Sequence, residues 1–170
     1  GQVGLDGIAR RIGDDTKAGG ELNPWLAKGL VRWGTQGLEA VTPWINGPLE
    51  NLSAIAIRLV GMVAESLRIE YVRSLRRDGR QLTEAEMFQL GRCQNSPFTH
   101  PSRIDAEQME KAVSSIVAAA KSDSSVVKSA AFSTLGQFGE EHLDLVGEAL
   151  TEPDDTVAIA AAMALQHGFS

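Results

Sequence analysis

The sequence predicts an all-α chain, an α-solenoid of about five antiparallel helix pairs stacked in a row. Three observations carry that expectation. Apolar residues recur at helical spacing through most of the 170 residues. No segment sustains the period-two alternation of a half-buried strand. Two segments near the C-terminus repeat each other at a shift of 30 residues, which marks an array whose units cannot bury their apolar faces alone.

The elements follow in order. Leu5, Ile8, Ala9 and Ile12 fall at i, i+3, i+4 and i+7 and predict a short opening helix, closed by Gly19-Gly20. Asn23-Pro24 reads as an N-cap followed by proline at the first helical position. Trp25, Leu26, Leu30 and Val31 should form the apolar stripe behind it. Gly47-Pro48 separates the next segment from a helix carrying Ile55, Leu59, Val60 and Val63, and a further helix is predicted over 66–78, ended by Asp78-Gly79. Thr83-Glu84-Ala85-Glu86 fits a capping box, in which Thr83 and Glu86 satisfy free backbone donors. Residues 94–104, with Asn95, Ser96, Pro97 and Pro101, read as one long loop and as the seam between two halves. Beyond it, Met109, Ala112, Val113, Ile116, Val117 and Ala120 describe a clean amphipathic helix. Val127, Ala130, Ala131 and Phe138 begin the next, and Gly139 and Gly168 stand where helices should end. The organisation is thus a short helix and linker over 1–20, divergent helix pairs over 21–95 and regular pairs over 96–170.

The repeat is specific. Moved by 30 residues, 113–136 falls on 143–166 without a gap. Val113 meets Leu143, Ile116 meets Val146, Ala120 meets Leu150, Val127 meets Val157, Ala130-Ala131 meets Ala160-Ala161 and Leu135 meets Leu165. Ser124-Ser125 meets Asp154-Asp155, both pairs suited to capping a helix. The first half echoes this faintly through Leu30, Leu59 and Leu90, spaced by 29 and 31, with Leu38 and Leu67 each eight residues behind a leucine.

Composition narrows the function. Apolar residues make up 43% of the chain and aromatics 5%, with alanine taking their place. Small side chains let helices approach closely, and alanine costs least to hold in a helix. The net charge is −6, carried by the second half: residues 1–92 hold 12 basic and 11 acidic groups, residues 93–170 hold 4 and 11. General nucleic-acid binding needs an excess of Lys and Arg, so it is not expected, and only the first half could attract phosphate. Cys93 has no second cysteine for a disulfide or thiolate site and reads as an interior thiol. The apolar run Leu52 to Ala64 is 13 residues long, too short to span a bilayer. With neither a spanning segment nor a signal peptide in view, a cytoplasmic location is the default expectation, and Gly1 suggests a processed or excised chain.

Ser125-Val126-Val127-Lys128-Ser129-Ala130-Ala131 through Leu135-Gly136, and Asp155-Thr156-Val157 through Ala160-Ala161 and Leu165, resemble the second helix of HEAT repeats, especially the short bacterial kind found in phycobiliprotein lyases. The resemblance is good over 106–168 and weaker over 24–92. HEAT units usually carry Asp, Val and Arg at the start of that helix. Lys128 and Ala158 stand at the Arg position, so any Asp–Arg ladder is partial. The resemblance implies a solenoid that mediates protein–protein contact. A bilin lyase is the enzymatic alternative, although no residue can be assigned to it.

No catalytic constellation is visible. His100, His142 and His167 show no metal-ligand spacing, and none belongs to a His-Glu dipeptide of the kind that binds iron in HEAT-like hydroxylases. Glu140-Glu141-His142 reads as a helix start with acids at the positive dipole end. No phosphate loop or nucleophile elbow appears, so neither metal nor cofactor is expected. Trp25, Trp33 and Trp44 read as core or end-cap packing, although glycosylases of the HEAT-like group use such residues on a basic surface. The candidate contact is arginine. Arg73, Arg76, Arg77 and Arg80 fall at i, i+3, i+4 and i+7, on one face opposite Leu67, Tyr71 and Leu75. Four guanidinium groups could clasp a carboxylate-rich peptide, phosphate or acidic membrane surface; the plain alternative is a solvated face partly neutralised by Glu70 and Asp78. The last helix, Thr156 to His167, has almost no polar face. It should therefore meet further repeats, a partner or its own copy. An adaptor with a protein partner, plausibly acidic, and self-association through the C-terminal helix is the leading expectation.

Overall fold

The computed structural model describes residues 2–84, 87, 106–136, 138 and 142–168. Every regular element among them is helical. They are α1 (Gln2–Lys17), α2 (Pro24–Arg32), α3 (Thr35–Val41) with a 3-10 turn at Thr42–Trp44, α4 (Glu50–Arg77), α5 (Ala106–Ala119), α6 (Ser125–Leu135), α7 (Leu143–Glu148) with a 3-10 turn at Ala149–Thr151, and α8 (Asp155–Gly168). Another helix begins at Glu84, directly behind Thr83 as the capping pattern predicts; Glu86 lies outside the described residues. So do Leu90, Cys93, the predicted loop 94–104 with His100, Gly139, Glu140 and Glu141.

Local chemistry sets the starts. The Asn23 side chain accepts from the backbone N–H groups of Trp25 and Leu26 at 2.9 and 3.4 Å, and Pro24 opens α2. The Ser124 hydroxyl accepts from the N–H of Val127 at 3.3 Å ahead of α6, and Asp154 accepts from the N–H of Thr156 at 2.9 Å ahead of α8. Both members of the predicted capping pair therefore cap, and such caps are worth about 1 kcal/mol each.

Helices pack in consecutive pairs, α1 with α2, α3 with α4, α5 with α6, and α7 with α8. The second members form a continuous layer, in which α2 lies on α4, α4 on α6 and α6 on α8. On the other side α1 lies on α3 and α3 on α5. This two-layer row is an α-solenoid. Its core runs between the layers, through Leu30, Leu38, Ile57, Leu59, Ile116, Leu135 and Val146. Burying each such side chain stabilises the fold by about 1.5–3 kcal/mol. Leu30 and Leu59 occupy adjacent members of one layer, which accounts for their spacing.

Burial follows the 30-residue shift. Ile116 and Val146, Ala119 and Ala149, Val127 and Val157, and Ala131 and Ala161 are buried pair by pair. The pairing of Ala120 with Leu150 fails, because Ala120 is buried and Leu150 exposed. Leu150 falls in a 3-10 turn where its counterpart follows a longer α-helix.

Two expectations are corrected. The helices placed around Ile55–Val63 and over 66–78 are one helix, α4, 28 residues long. Ala64-Glu65-Ser66 contains no breaker, and one buried glycine, Gly61, costs a helix only about 1 kcal/mol. Its end is as expected, at Asp78-Gly79, where Gly79 takes φ 77°. Trp25 does not join the α2 stripe and is 77% exposed. Ala27, Leu30 and Val31 form the buried face, and Trp25 lies roughly 140° around the helix from Leu30 at 100° per residue. Trp33 and Trp44 do pack against the core. Phe138 likewise packs on it, from a bend beyond the end of α6.

The layer is tight where α6 meets α8. A methyl group on Gly136 would stand 2.9 Å from both the Cβ and the carbonyl oxygen of Ala164. Gly136→Ala should therefore destabilise by about 1–3 kcal/mol through overpacking, which outweighs the about 0.4–1 kcal/mol that alanine gains in the unfolded chain. Ala164→Gly should restore part of the loss, since the carbonyl clash remains. Chemical denaturation of the two single variants and the double variant measures this.

Candidate functional site

The edge along which α4, α6 and α8 begin carries a line of polar contacts. The Ser124 hydroxyl donates to Glu50 Oε2 at 2.6 Å, joining the start of α6 to the start of α4. The Ser125 hydroxyl donates to Asp154 Oδ2, joining α6 to the cap of α8. Lys128 Nζ reaches Glu152 Oε1 at 3.1 Å, with both side chains largely covered. At the positions where an Asp–Arg ladder was expected to be partial, serine and lysine donors pair with carboxylates. These contacts fix how far one helix slides along the next, and the partly covered Lys128–Glu152 pair adds on the order of 1 kcal/mol.

The ladder stops at α8. Moving Ser125 and Lys128 by one repeat gives Asp155 and Ala158, neither of which can donate a hydrogen bond from an ionised or apolar side chain. The outer flank of α8 changes as well. Ser129, Phe132 and Ser133 of α6 become Ile159, Ala162 and Met163. Phe132 is buried, while Ile159 is 59% exposed, Met163 is 54% exposed and Ala162 is exposed. Meanwhile Val157, Ala161 and Ala164 on the other flank are buried. So α8 presents Ile159 and Met163 outward, with Asp155 and Thr156 at its start.

The arginine candidates separate into two groups. Arg73, Arg76 and Arg77 lie on α4, where the side chains of Arg73 and Arg76 fall outside the described residues. Arg77 is the last residue of the helix and is exposed. Arg80 is exposed too, but lies past the glycine turn, so the helical spacing that placed it on the same face does not extend to it. A feature that the sequence reading missed is on α2. Exposed Trp25 carries Lys28 Nζ 5.4 Å from its ring centre, and Arg32 follows one turn later. The spacing 25, 28, 32 was the available signal.

A shallow groove of about 420 Å³ lies between the α3 end of the chain and α5, lined by Glu39, Thr42, Pro43, Asn46, Gln108 and Ser115. Its hydroxyls are committed to helix carbonyls: Thr42 donates to Leu38 at 2.6 Å and Ser115 to Lys111 at 3.0 Å. Asn46 Nδ2 crosses it to the carbonyl of Ser115 at 3.2 Å. Hydroxyls bonded back to their own helix are not activated nucleophiles. Among the described residues no three His, Cys, Asp or Glu side chains stand together as a metal site, and no helix is long and apolar enough to cross a membrane. His142 precedes α7 without a side-chain capping bond, and Asp144 supplies the acid in its first turn.

The Ser125 hydroxyl, helped by the N–H of Thr156, holds the Asp154 carboxyl below its ordinary value of 3.8. A carboxyl depressed on folding stabilises the protein above its unfolded pKa, and that stability is lost as pH falls through the folded value. Ser125→Ala should therefore weaken the fold at neutral pH, and the gap to wild type should close once pH drops below the folded pKa of Asp154. Denaturation curves followed by circular dichroism from pH 7 to pH 2 test the direction.

Residues 103–166 match the family model for HEAT repeats. No curated protein and no solved structure matches the chain.

Proposed function

We propose that this chain is a non-catalytic scaffold that binds protein through the outer face of α8, because residues 103–166 match the model of a repeat type that commonly mediates protein–protein interaction. One observation carries the reading. Ile159 and Met163 are more than half exposed on a helix whose other flank is buried in register with the preceding repeat. Large apolar side chains grouped on an exposed face mark interaction sites, and in a stacked array an apolar repeat face is one that a neighbouring unit covers.

The end of α4 supplies a second contact, for an acidic partner. Arg77 and Arg80 are exposed there, with Arg76 directly before Arg77 and Arg73 one turn earlier on the same helix. Guanidinium groups pair with carboxylates in two-point geometry, which suits an Asp- and Glu-rich segment. The second half of the chain, with its −7 balance, would repel a nucleic acid lying along the row, so a protein partner fits better than a phosphate backbone.

Co-purification from the native host, read by mass spectrometry, tests the reading. Ile159→Asp with Met163→Asp should remove a specific partner, while helicity stays at the wild-type level because both side chains already face solvent. Arg77→Glu with Arg80→Glu should weaken binding of an acidic peptide by about tenfold or more, and the wild-type affinity should fall as salt rises. A partner set indifferent to both pairs of changes would overturn the proposal.

A further inference from the structure

We infer that the side of the α2, α4, α6, α8 layer turned away from α1, α3 and α5 takes an extended protein segment, which lays apolar side chains on α8 and carboxylates over α4 and α2. The inference rests on the protein-binding reading of Ile159 and Met163; it names the chemistry and the direction of what they bind.

The layer sets equivalent positions side by side. Ser124 joins the start of α6 to Glu50 at the start of α4, and Ser125 joins it to the cap of α8. These three helices therefore begin level, and residues at the same count from each start face the same way. The ninth residue is Arg58 on α4, Ser133 on α6 and Met163 on α8. All three are exposed. On α4 the exposure is selective, because Arg58 is the one exposed residue from Leu52 to Ala64. Its guanidinium thus opens on the one side of α4 that no helix covers. Helix α2 packs against α4 in the same layer. There Trp25, with Lys28 over its ring at 5.4 Å, lies away from the buried Ala27, Leu30 and Val31.

The chemistry of this side changes from helix to helix. On α8, Ile159 and Met163 are large and apolar, and on α6 Ser133 is small and polar. On α4 and α2 the side carries Arg58 and Lys28. Arg58 makes no ion pair with a described residue. Glu65, the next carboxylate along α4, stands two turns further on, about 10 Å along the axis. Charge over the whole molecule adds to the contrast. Residues 93–170 carry a balance of −7 and residues 1–92 are nearly neutral. Carboxylates of a bound segment are therefore repelled from α6 and α8 and held over α4 and α2. Apolar side chains gain most on Ile159 and Met163, so the two preferences fix which end lies where.

The reach sets the length. Packed helices stand about 8–10 Å apart, so three steps from α8 to α2 cover about 24–30 Å. An extended chain spans that with about eight or nine residues at roughly 3.3 Å each. Arg77 lies 19 residues beyond Arg58 on α4, about 28 Å along the axis, so a segment crossing at Arg58 does not use it.

Selection of random ten-residue peptides displayed on phage against the purified chain, then fluorescence anisotropy with the enriched peptides, tests this. Enriched sequences should carry Leu, Ile, Phe or Met at one end and two or more Asp or Glu toward the other. Ile159→Ser with Met163→Ser, and Arg58→Glu alone, should each weaken their binding by tenfold or more with unchanged circular dichroism. Lysines in place of the peptide's acids should restore binding to Arg58→Glu. Added salt should weaken binding to the wild type, and Arg77→Glu with Arg80→Glu should leave it as it is. No enrichment, or enriched peptides without an acidic end, overturns the inference. Binding lost with the α8 pair or with Arg77→Glu and Arg80→Glu, yet indifferent to Arg58→Glu, sinks the crossing and leaves the scaffold reading standing. Binding indifferent to all of these changes sinks both.

Discussion

The packing of α6 on both flanks is the constraint from which the rest of the row follows. It lies between α4 and α8, and a helix so placed has to be covered on two sides without holding its neighbours apart. Small residues make that feasible. Ala130 and Ala131 are buried on α6, Ala161 and Ala164 on α8, and Gly136 approaches Ala164 so closely that no Cβ fits. The low aromatic content and the abundance of alanine are the compositional trace of this spacing. Larger side chains, such as Phe132, Leu135 and Ile116, fill the volume around the contacts and supply most of the apolar burial.

Close packing of nearly smooth alanine faces leaves sliding along the helix axes weakly opposed. The bonds at the helix starts oppose it. Ser124 to Glu50, Ser125 to Asp154 and Lys128 to Glu152 tie the starts of α4, α6 and α8 into line. Each also satisfies or shields a group near a helix N-terminus, where backbone donors are otherwise unpaired. The same residues thus cap a helix and set its register against the next. Their contribution to total stability is small beside burial, but it acts on the one degree of freedom that burial leaves loose.

The polar pairing changes along the row. Between α6 and α8, Ser125 and Lys128 meet the carboxylates of Asp154 and Glu152, while between α4 and α6 the carboxylate, Glu50, is on the earlier helix. The flank of α8 exposes Ile159 and Met163 beside Asp155 and Thr156, and α2 exposes Trp25 with Lys28 over its ring. The groove beside α5 has neither kind of surface: its hydroxyls are spent on their own helices and one carboxylate, Glu39, lines it.

What the residues determined by themselves is whatever depends on near neighbours in the chain. The Asn23-Pro24 start, the Ser124 and Asp154 caps, the halt at Asp78-Gly79, the amphipathic face of α5 and the 30-residue repeat were all legible, since caps act within one turn and periodicity shows which side chains share a face. The tertiary structure decided which face meets a neighbour. Trp25 points outward because Ala27 and Leu30 on the opposite side of α2 meet α1, α3 and α4. The helix α4 packs on α1, α2, α3 and α6, and Arg80 leaves the arginine stripe because that helix stops at Arg77. Lys128 found Glu152 and not an aspartate at the usual place because a side chain pairs with the charge that packing brings within reach, and helical spacing carries no information about distance between helices.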